Sequence, residues 1–271
     1  MSVRVIVHAG FHKTGTSSLQ TYLGSHRALL SPYFNYYGKM QFLQAGAAGR
    51  IYGQRPFPWR LWRFRQLFRA FLTTVQPARV IVLSRETFSG IMPGHKRFLG
   101  GQVTDFQSAA IPLARTITSE LKRRFGPETE IIFLYTLRAR MPWITSAYGH
   151  LLRSIRLTKD LDPFVAQFPA TFDLGREAQV IRDAIKPIQV RTSWLEDSAR
   201  HRLGPATPLL EAAQVPSWVI DELPGAERIN TGHSAALLQE FLRMNREMSN
   251  RQALKAAKEA LAAEERAARN V

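Results

Sequence analysis

Apolar positions along the 271-residue chain fall into two recurring patterns. Short runs of β-branched and aliphatic residues occupy positions 3–8, 79–83 and 130–135, with a weaker run at 188–191. The second and third runs are unbroken rather than alternating, as strands covered on both faces require. Between the runs lie stretches with helical spacing. Residues 16–25 follow the first run, and residues 59–75 place Leu61, Phe64, Phe68, Phe71 and Val75 near one helix face. Residues 111–125 end at Gly126 and Pro127, a helix stop, and residues 142–156 follow the third run. Strands alternating with helices predict βαβ units and therefore an α/β fold with a parallel sheet flanked by helices.

Two segments rich in Gly and Pro, 46–58 and 90–105, read as loops. From Ser234 onward the chain is rich in Ala, Glu, Lys and Arg and contains neither Gly nor Pro, which predicts a long helix or a pair of helices. Its last turns, beyond about Ala256, are expected to form a mobile or partner-bound tail. The chain then divides into a main domain over 1–233 and a helical C-terminal extension over 234–271.

Overall composition is that of a soluble globular protein, and two features change the picture. The absence of Cys excludes disulfides, thiol catalysis and thiolate metal sites. Lys and Arg number 37 against 21 Asp and Glu, a net charge of +16. That balance favours anionic partners: nucleotides, acidic glycans, nucleic acid or peripheral contact with an anionic membrane. It does not choose among them, and an Arg-rich, highly soluble surface is the plain alternative. Met1 runs straight into the first strand, and no apolar run approaches the ~18 residues of a membrane span, so a cytoplasmic protein is expected.

The chemistry concentrates after the first strand. Gly10, Phe11, His12, Lys13, Thr14, Gly15, Thr16, Ser17, Ser18 and Leu19 lead from strand to helix. A glycine-bounded loop entering a helix N-terminus is an anion site, because backbone N–H groups converge there with the positive end of the helix dipole. The nucleoside-triphosphate loop needs Lys directly after its second Gly. Here Thr16 stands in that place, and the lysine, Lys13, lies three residues earlier. This displacement argues against a triphosphate loop.

In this arrangement the chain resembles the sulfotransferases that use 3′-phosphoadenosine 5′-phosphosulfate (PAPS), in particular bacterial-type members similar to the carbohydrate and heparan-type enzymes. The resemblance implies a P-loop-like parallel sheet and transfer of a sulfuryl group to an acceptor hydroxyl. It implies that Lys13 holds the bridging and 5′-phosphate oxygens. Gly10, His12, Thr14, Gly15, Thr16, Ser17 and Ser18 would complete the cofactor loop. A second anchor, for the 3′-phosphate, matches Arg138 and, eight residues on, Ser146, with Tyr148 completing the run. An Arg fork and a Ser hydroxyl suit phosphate oxygens. Arg228, in a late basic segment, is a further candidate for the 3′-phosphate, although the Lys-Gly-x-x-Gly form of the cytosolic enzymes is missing.

By the same resemblance Glu86, just past the second predicted strand, is the candidate base, and Lys13 and Glu86 form the catalytic pair. His12 and His95 are rival bases, and Ser84 and Arg85 are candidate contacts to cofactor or acceptor. The scattered histidines predict no metal. The expected partners are PAPS and a hydroxylated acceptor, a carbohydrate in the first instance, with no specific nucleic acid. The basic aromatic stretch from Trp59 to Arg65 reads either as an acceptor or membrane surface or as a fold helix with a cationic outer face. Two rivals stand beside the sulfotransferase. A small-molecule kinase would need a Lys after Gly15 and a magnesium-binding Asp. A non-enzymatic polyanion or nucleic-acid binder would need no pairing of Lys13 with Arg138.

Overall fold

A computed structural model describes residues 3–226 and 232–269. In chain order its elements are β1 (Arg4–His8), α1 (Thr16–Ser25), α2 (Arg27–Leu30), β2 (Asn35–Tyr37), α3 (Leu43–Gln54), α4 (Pro58–Thr74), β3 (Val80–Ser84), α5 (Gln107–Phe125), β4 (Glu130–Leu137) and α6 (Arg140–Ser154). They continue with α7 (Leu161–Val165), α8 (Leu174–Ala184), β5 (Gln189–Trp194), α9 (Leu195–Ser198), α10 (Thr207–Ala212), α11 (Ser217–Glu222), α12 (Ala235–Glu247) and α13 (Arg251–Arg269). A 3₁₀ turn spans Glu86–Ser89.

The chain forms two compact units, neither continuous in sequence: residues 1–140 with 172–229, and residues 141–171 with 230–271. The first holds a five-stranded sheet in the order β2-β3-β1-β4-β5. Every adjacent pair is parallel. This is the α/β architecture the alternating pattern predicts. Ile6, Val82, Ile132 and Leu134 pack on one face against Leu19, Leu23, Leu209 and Leu210 of α1 and α10. Val7, Leu83 and Phe133 alternate with them and are equally buried. Both faces are therefore covered, which explains why β3 and β4 read as unbroken apolar runs.

The second unit is helical. Phe164 packs on Phe168 and Tyr148, and Trp143 meets Phe168 edge-on. Asn245 of α12 donates to the carbonyls of Leu152 and Leu157. Lys258 of α13 donates to the carbonyls of Leu152 and Ile155 at 2.6 and 3.0 Å, satisfying groups that the end of α6 leaves open.

Two expectations are corrected. Residues 46–58 are not a loop, because α3 occupies most of them. Gly46, Gly49 and Gly53 share one face of α3. A Cβ at Gly49 would stand 2.6 Å from the carbonyl oxygen of Thr87, and one at Gly53 would collide with the backbone of Ile91. The glycines are there for close helix contact, not for a turn. The C-terminal segment is the predicted pair of helices, but its last turns are not a free tail: Lys258 and Ala262 are buried, and Glu265 bonds His233. The edge strand β2 has only three residues and carries no pattern that predicts it. The 90–105 loop holds one short antiparallel bridge, between Lys96 and Gln102.

Candidate active site

Parallel strands in register put their carboxyl ends side by side. His8 of β1 lies opposite Ser84 of β3 and Leu134 of β4. The loop after β1, the turn after β3 and Arg138 after β4 therefore leave adjacent points on one sheet edge, where open α/β sheets bind ligands. Two bonds lock the turn to the loop: Arg85 donates its N–H to the carbonyl of His8 at 2.9 Å, and the hydroxyl of Ser89 donates to the carbonyl of Ala9.

The loop is wound tightly. Lys13 adopts φ 68°, a left-handed conformation that non-glycine residues seldom take. Gly15 has φ 87°, and a Cβ there would lie 2.8 Å from Leu195. A Cβ at Gly10 would lie 2.5 Å from the Nε2 of His8 and would collide with the hydroxyl of Thr136. Gly15 is also the N-cap of α1 and supplies no side chain to its first turn, which leaves that turn suited to an anion.

The predicted loop residues divide by direction. Thr14 is fully buried; its hydroxyl donates to the carbonyl of Phe11 at 2.5 Å and pairs with the hydroxyl of Thr136 at 2.7 Å. Thr16 is buried too and donates to the same carbonyl at 3.4 Å. These two hydroxyls build the floor of the loop, which leaves its backbone and the side chains of Lys13, Ser17 and Ser18 to meet a ligand. Ser17 is exposed, and Ser18 and Lys13 are partly buried.

Below the loop runs a buried polar chain that sequence reasoning missed. Gln20 of α1 donates to the Oγ and the carbonyl of Ser84, both at 3.2 Å, and reaches the carboxylate of Glu86 at 3.5 Å. Ser84 Oγ pairs with His8 Nδ1 at 2.8 Å, and His8 Nε2 lies 3.5 Å from Thr136 Oγ1, which leads to Thr14. Burial pushes the pKa of His8 down to about 4, so the ring is neutral and can accept at one nitrogen while donating at the other. The alternation of His8 into a fully apolar strand was the available signal, because a buried His needs partners.

Glu86 is partly buried at the start of its turn. Burial raises its carboxyl pKa, but His12, its own backbone N–H, Arg85 and Lys39 outweigh burial and hold it below the usual carboxylate range. Burial pushes His12 down to about 4, opposed by Glu86 and helped by Lys13, Arg85 and Arg50. At neutral pH the pair is therefore a carboxylate beside a neutral imidazole. His95 is likewise pushed to about 4, by burial and then by His12 and Arg50. Of the three candidate bases, only Glu86 carries charge at neutral pH.

Arg85 is 7% exposed; its Nε donates to Thr87 at 3.1 Å, and its guanidinium lies against Gly46, where a Cβ would come within 2.5 Å of Nε. Its Nη1 has no hydrogen-bond partner among the described residues. Arg138 is partly buried and donates to the carbonyl of Lys13 at 3.3 Å, so this candidate residue touches the loop. Burial lowers the pKa of Arg138, and Glu196 opposes the shift. Glu196 also accepts from the N–H of Ala139 at 3.0 Å and so braces the turn that carries Arg138. Nothing in its local sequence marks that role. Ser146 stands on α6 in the second compact unit, and Arg228 lies outside the described residues. No protein-family model matches the chain, and no curated protein is found as its relative. Among the described residues, no group of three or more His, Asp or Glu is arranged to hold a metal.

Proposed function

We propose that this protein is a sulfotransferase that transfers a sulfuryl group from PAPS to a hydroxyl, in the first instance on a carbohydrate. The observation that carries the proposal is the meeting at one sheet edge of a left-handed lysine in an anion loop, an ionised carboxylate and an arginine touching that loop. In the proposed reaction the acceptor oxygen attacks sulfur in line and forms the new O–S bond. The bond from sulfur to the bridging oxygen breaks, and its electron pair leaves with adenosine 3′,5′-bisphosphate. Lys13 stabilises the charge gathering on that bridging oxygen. Glu86 takes the acceptor proton, a role for which it is already deprotonated at neutral pH. Arg138 meets the 3′-phosphate that separates this nucleotide from AMP and ATP.

The kinase alternative finds less support. Its lysine position holds Thr16, whose hydroxyl is buried against the carbonyl of Phe11 and offers no charge to a γ-phosphate.

Thermal stabilisation by adenosine 3′,5′-bisphosphate, compared with AMP and with magnesium-ATP, tests the reading. At 100 times its Kd a ligand adds about 2.7 kcal/mol, or about 5–10 °C for a chain near this size. A shift with the 3′-phosphorylated nucleotide alone is expected. Arg138→Ala should weaken that ligand about tenfold to a hundredfold, the loss of about 1.5–3 kcal/mol expected of a charged hydrogen bond. A shift confined to magnesium-ATP would replace the sulfotransferase with the kinase.

A further inference from the structure

The first 85 residues contain twelve Lys and Arg and no Asp or Glu; Glu86 is the first acid in the chain. Half of this charge lies on α3, α4 and their connection, as Arg50, Arg55, Arg60, Arg63, Arg65 and Arg69. Arg65 and Arg69 are accounted for: they converge with Arg123 on the buried carboxylate of Glu120, at 3.7, 2.9 and 2.8 Å. Arg60 and Arg63 are not. Neither has an acidic partner among the described residues, and Arg60 Nε is buried without a hydrogen bond.

Helix α4 has two unlike faces. Phe64, Phe68 and Phe71 are buried in the fold. On the outer face Trp59 and Trp62 are each 59% exposed, and the ring of Phe57 stacks on Trp59 at 4.5 Å. Beside this stripe a cleft of about 340 Å³ opens between α3 and α4, lined by Gln44, Ala47, Ile51, Arg60, Arg63 and Leu67. At the start of α3, Met40 and Leu43 are exposed as well. Trp59 and Trp62 lie one helical turn apart with Phe57 stacked on the first, a contiguous exposed apolar stripe of the kind that marks an interaction surface. Guanidinium groups at the rim of an apolar cleft, with indoles alongside, match the layering of an anionic bilayer, where phosphates overlie acyl chains and Trp partitions between them. No helix among the described residues is long and apolar enough to cross a membrane, so the match is to a surface.

We propose that the outer face of α4, with the α3–α4 cleft, docks this protein on an anionic lipid bilayer: Trp59 and Trp62 enter the interface, and Arg60 and Arg63 hold lipid phosphates. Docking is independent of the proposed reaction, since none of these four residues belongs to the loop, the turn of Glu86 or the Arg138 anchor.

The test is co-sedimentation of the full chain with vesicles of phosphatidylcholine alone and with about one third phosphatidylglycerol, read together with tryptophan emission. Binding to the anionic vesicles only, with a blue shift, is expected. Trp59→Ala/Trp62→Ala should abolish the blue shift and most of the binding. Arg60→Gln/Arg63→Gln should weaken partition by about fivefold per arginine, or about 25-fold together. A control pair with the same charge loss on α13, Arg251→Gln/Lys255→Gln, should leave binding near that of the unaltered chain. Circular dichroism confirms that each variant folds, and the exposure of the two indoles favours that outcome. Three results would overturn the proposal: no binding to anionic vesicles, equal losses from the α4 and α13 pairs, or binding to a duplex oligonucleotide that depends on the same four residues and excludes vesicles.

Discussion

Lys13 and Glu86 owe their chemistry to neighbours rather than to themselves. Lys13 is held with φ 68° just before two threonines, Thr14 and Thr16, whose hydroxyls turn inward onto the carbonyl of Phe11. Glu86 feels burial first, yet His12, charged only in the acid range where the two titrate, together with the Glu86 N–H, Arg85 and Lys39, holds the carboxyl pKa below the usual carboxylate range. As the proposed base, Glu86 would give a rate that is flat through the neutral range. The rate should fall only as pH drops through the carboxyl's own pKa, below the usual glutamate value. Glu86→Gln should lower kcat by about 10²- to 10⁴-fold while leaving the affinity for adenosine 3′,5′-bisphosphate within about twofold, and it should remove that acid limb. A kcat equal to that of the unaltered chain would exclude Glu86 as the proposed base. The motif around Lys13 was legible in sequence because its residues are contiguous. Gln20 and Glu196 were not, because each acts on a residue about 60 positions away and neither sits in a local pattern.

Among the elements, α5 shows how a tertiary contact sets a boundary. Periodicity and the Gly126 stop mark its end well, but the helix begins four residues before position 111. Its first turn is capped from outside. Glu177 of α8 accepts the N–H groups of Phe106 and Gln107 at 3.1 and 2.9 Å, and Asp105 accepts that of Ser108 at 2.8 Å. Burial raises the pKa of Glu177 to about 7, with Asp105 adding to the rise and the two N–H bonds opposing it. A folded pKa above the unfolded value means that the folded chain holds a proton the unfolded chain releases. Glu177 therefore favours folding fully below the unfolded pKa of about 4.3, and that contribution is lost as pH rises to about 7. The difference is on the order of 3 kcal/mol. Glu177→Gln should flatten the decline in melting temperature between pH 5 and pH 8; an equally steep decline in the variant would assign it to another group.

At the scale of the whole molecule the dominant quantity is the net charge of +16. Like charges at this density oppose compaction, and salt screens them over about 10 Å at 0.1 M. Raising sodium chloride from about 20 to about 300 mM should raise the melting temperature by several degrees, against the small change expected of a neutral chain. A fall would mean that the few internal ion pairs, such as the cluster on Glu120, outweigh the repulsion. The two compact units show how little sequence order constrains packing here. Residues 141–171 belong with the C-terminal helices, and the return of the chain at Phe172 rejoins the sheet. Asn245 and Lys258 explain the first grouping, since both satisfy open carbonyls at and just after the end of α6.

The sequence by itself determined the parallel α/β class, four of the five strands and the main helices. Burial on both faces leaves an unbroken apolar run, and helix packing leaves a periodic one. It also determined the glycine-bounded loop after the first strand and the place of Lys13 within it, which are features of neighbouring residues. Only the tertiary structure decided that the glycines of α3 serve helix contact rather than a loop. It alone decided that α13 is docked through Lys258, and that a polar chain from Glu86 to Thr14 underlies the site. Each of these rests on atoms brought together from distant parts of the chain, and no local pattern records where a buried donor will find its acceptor.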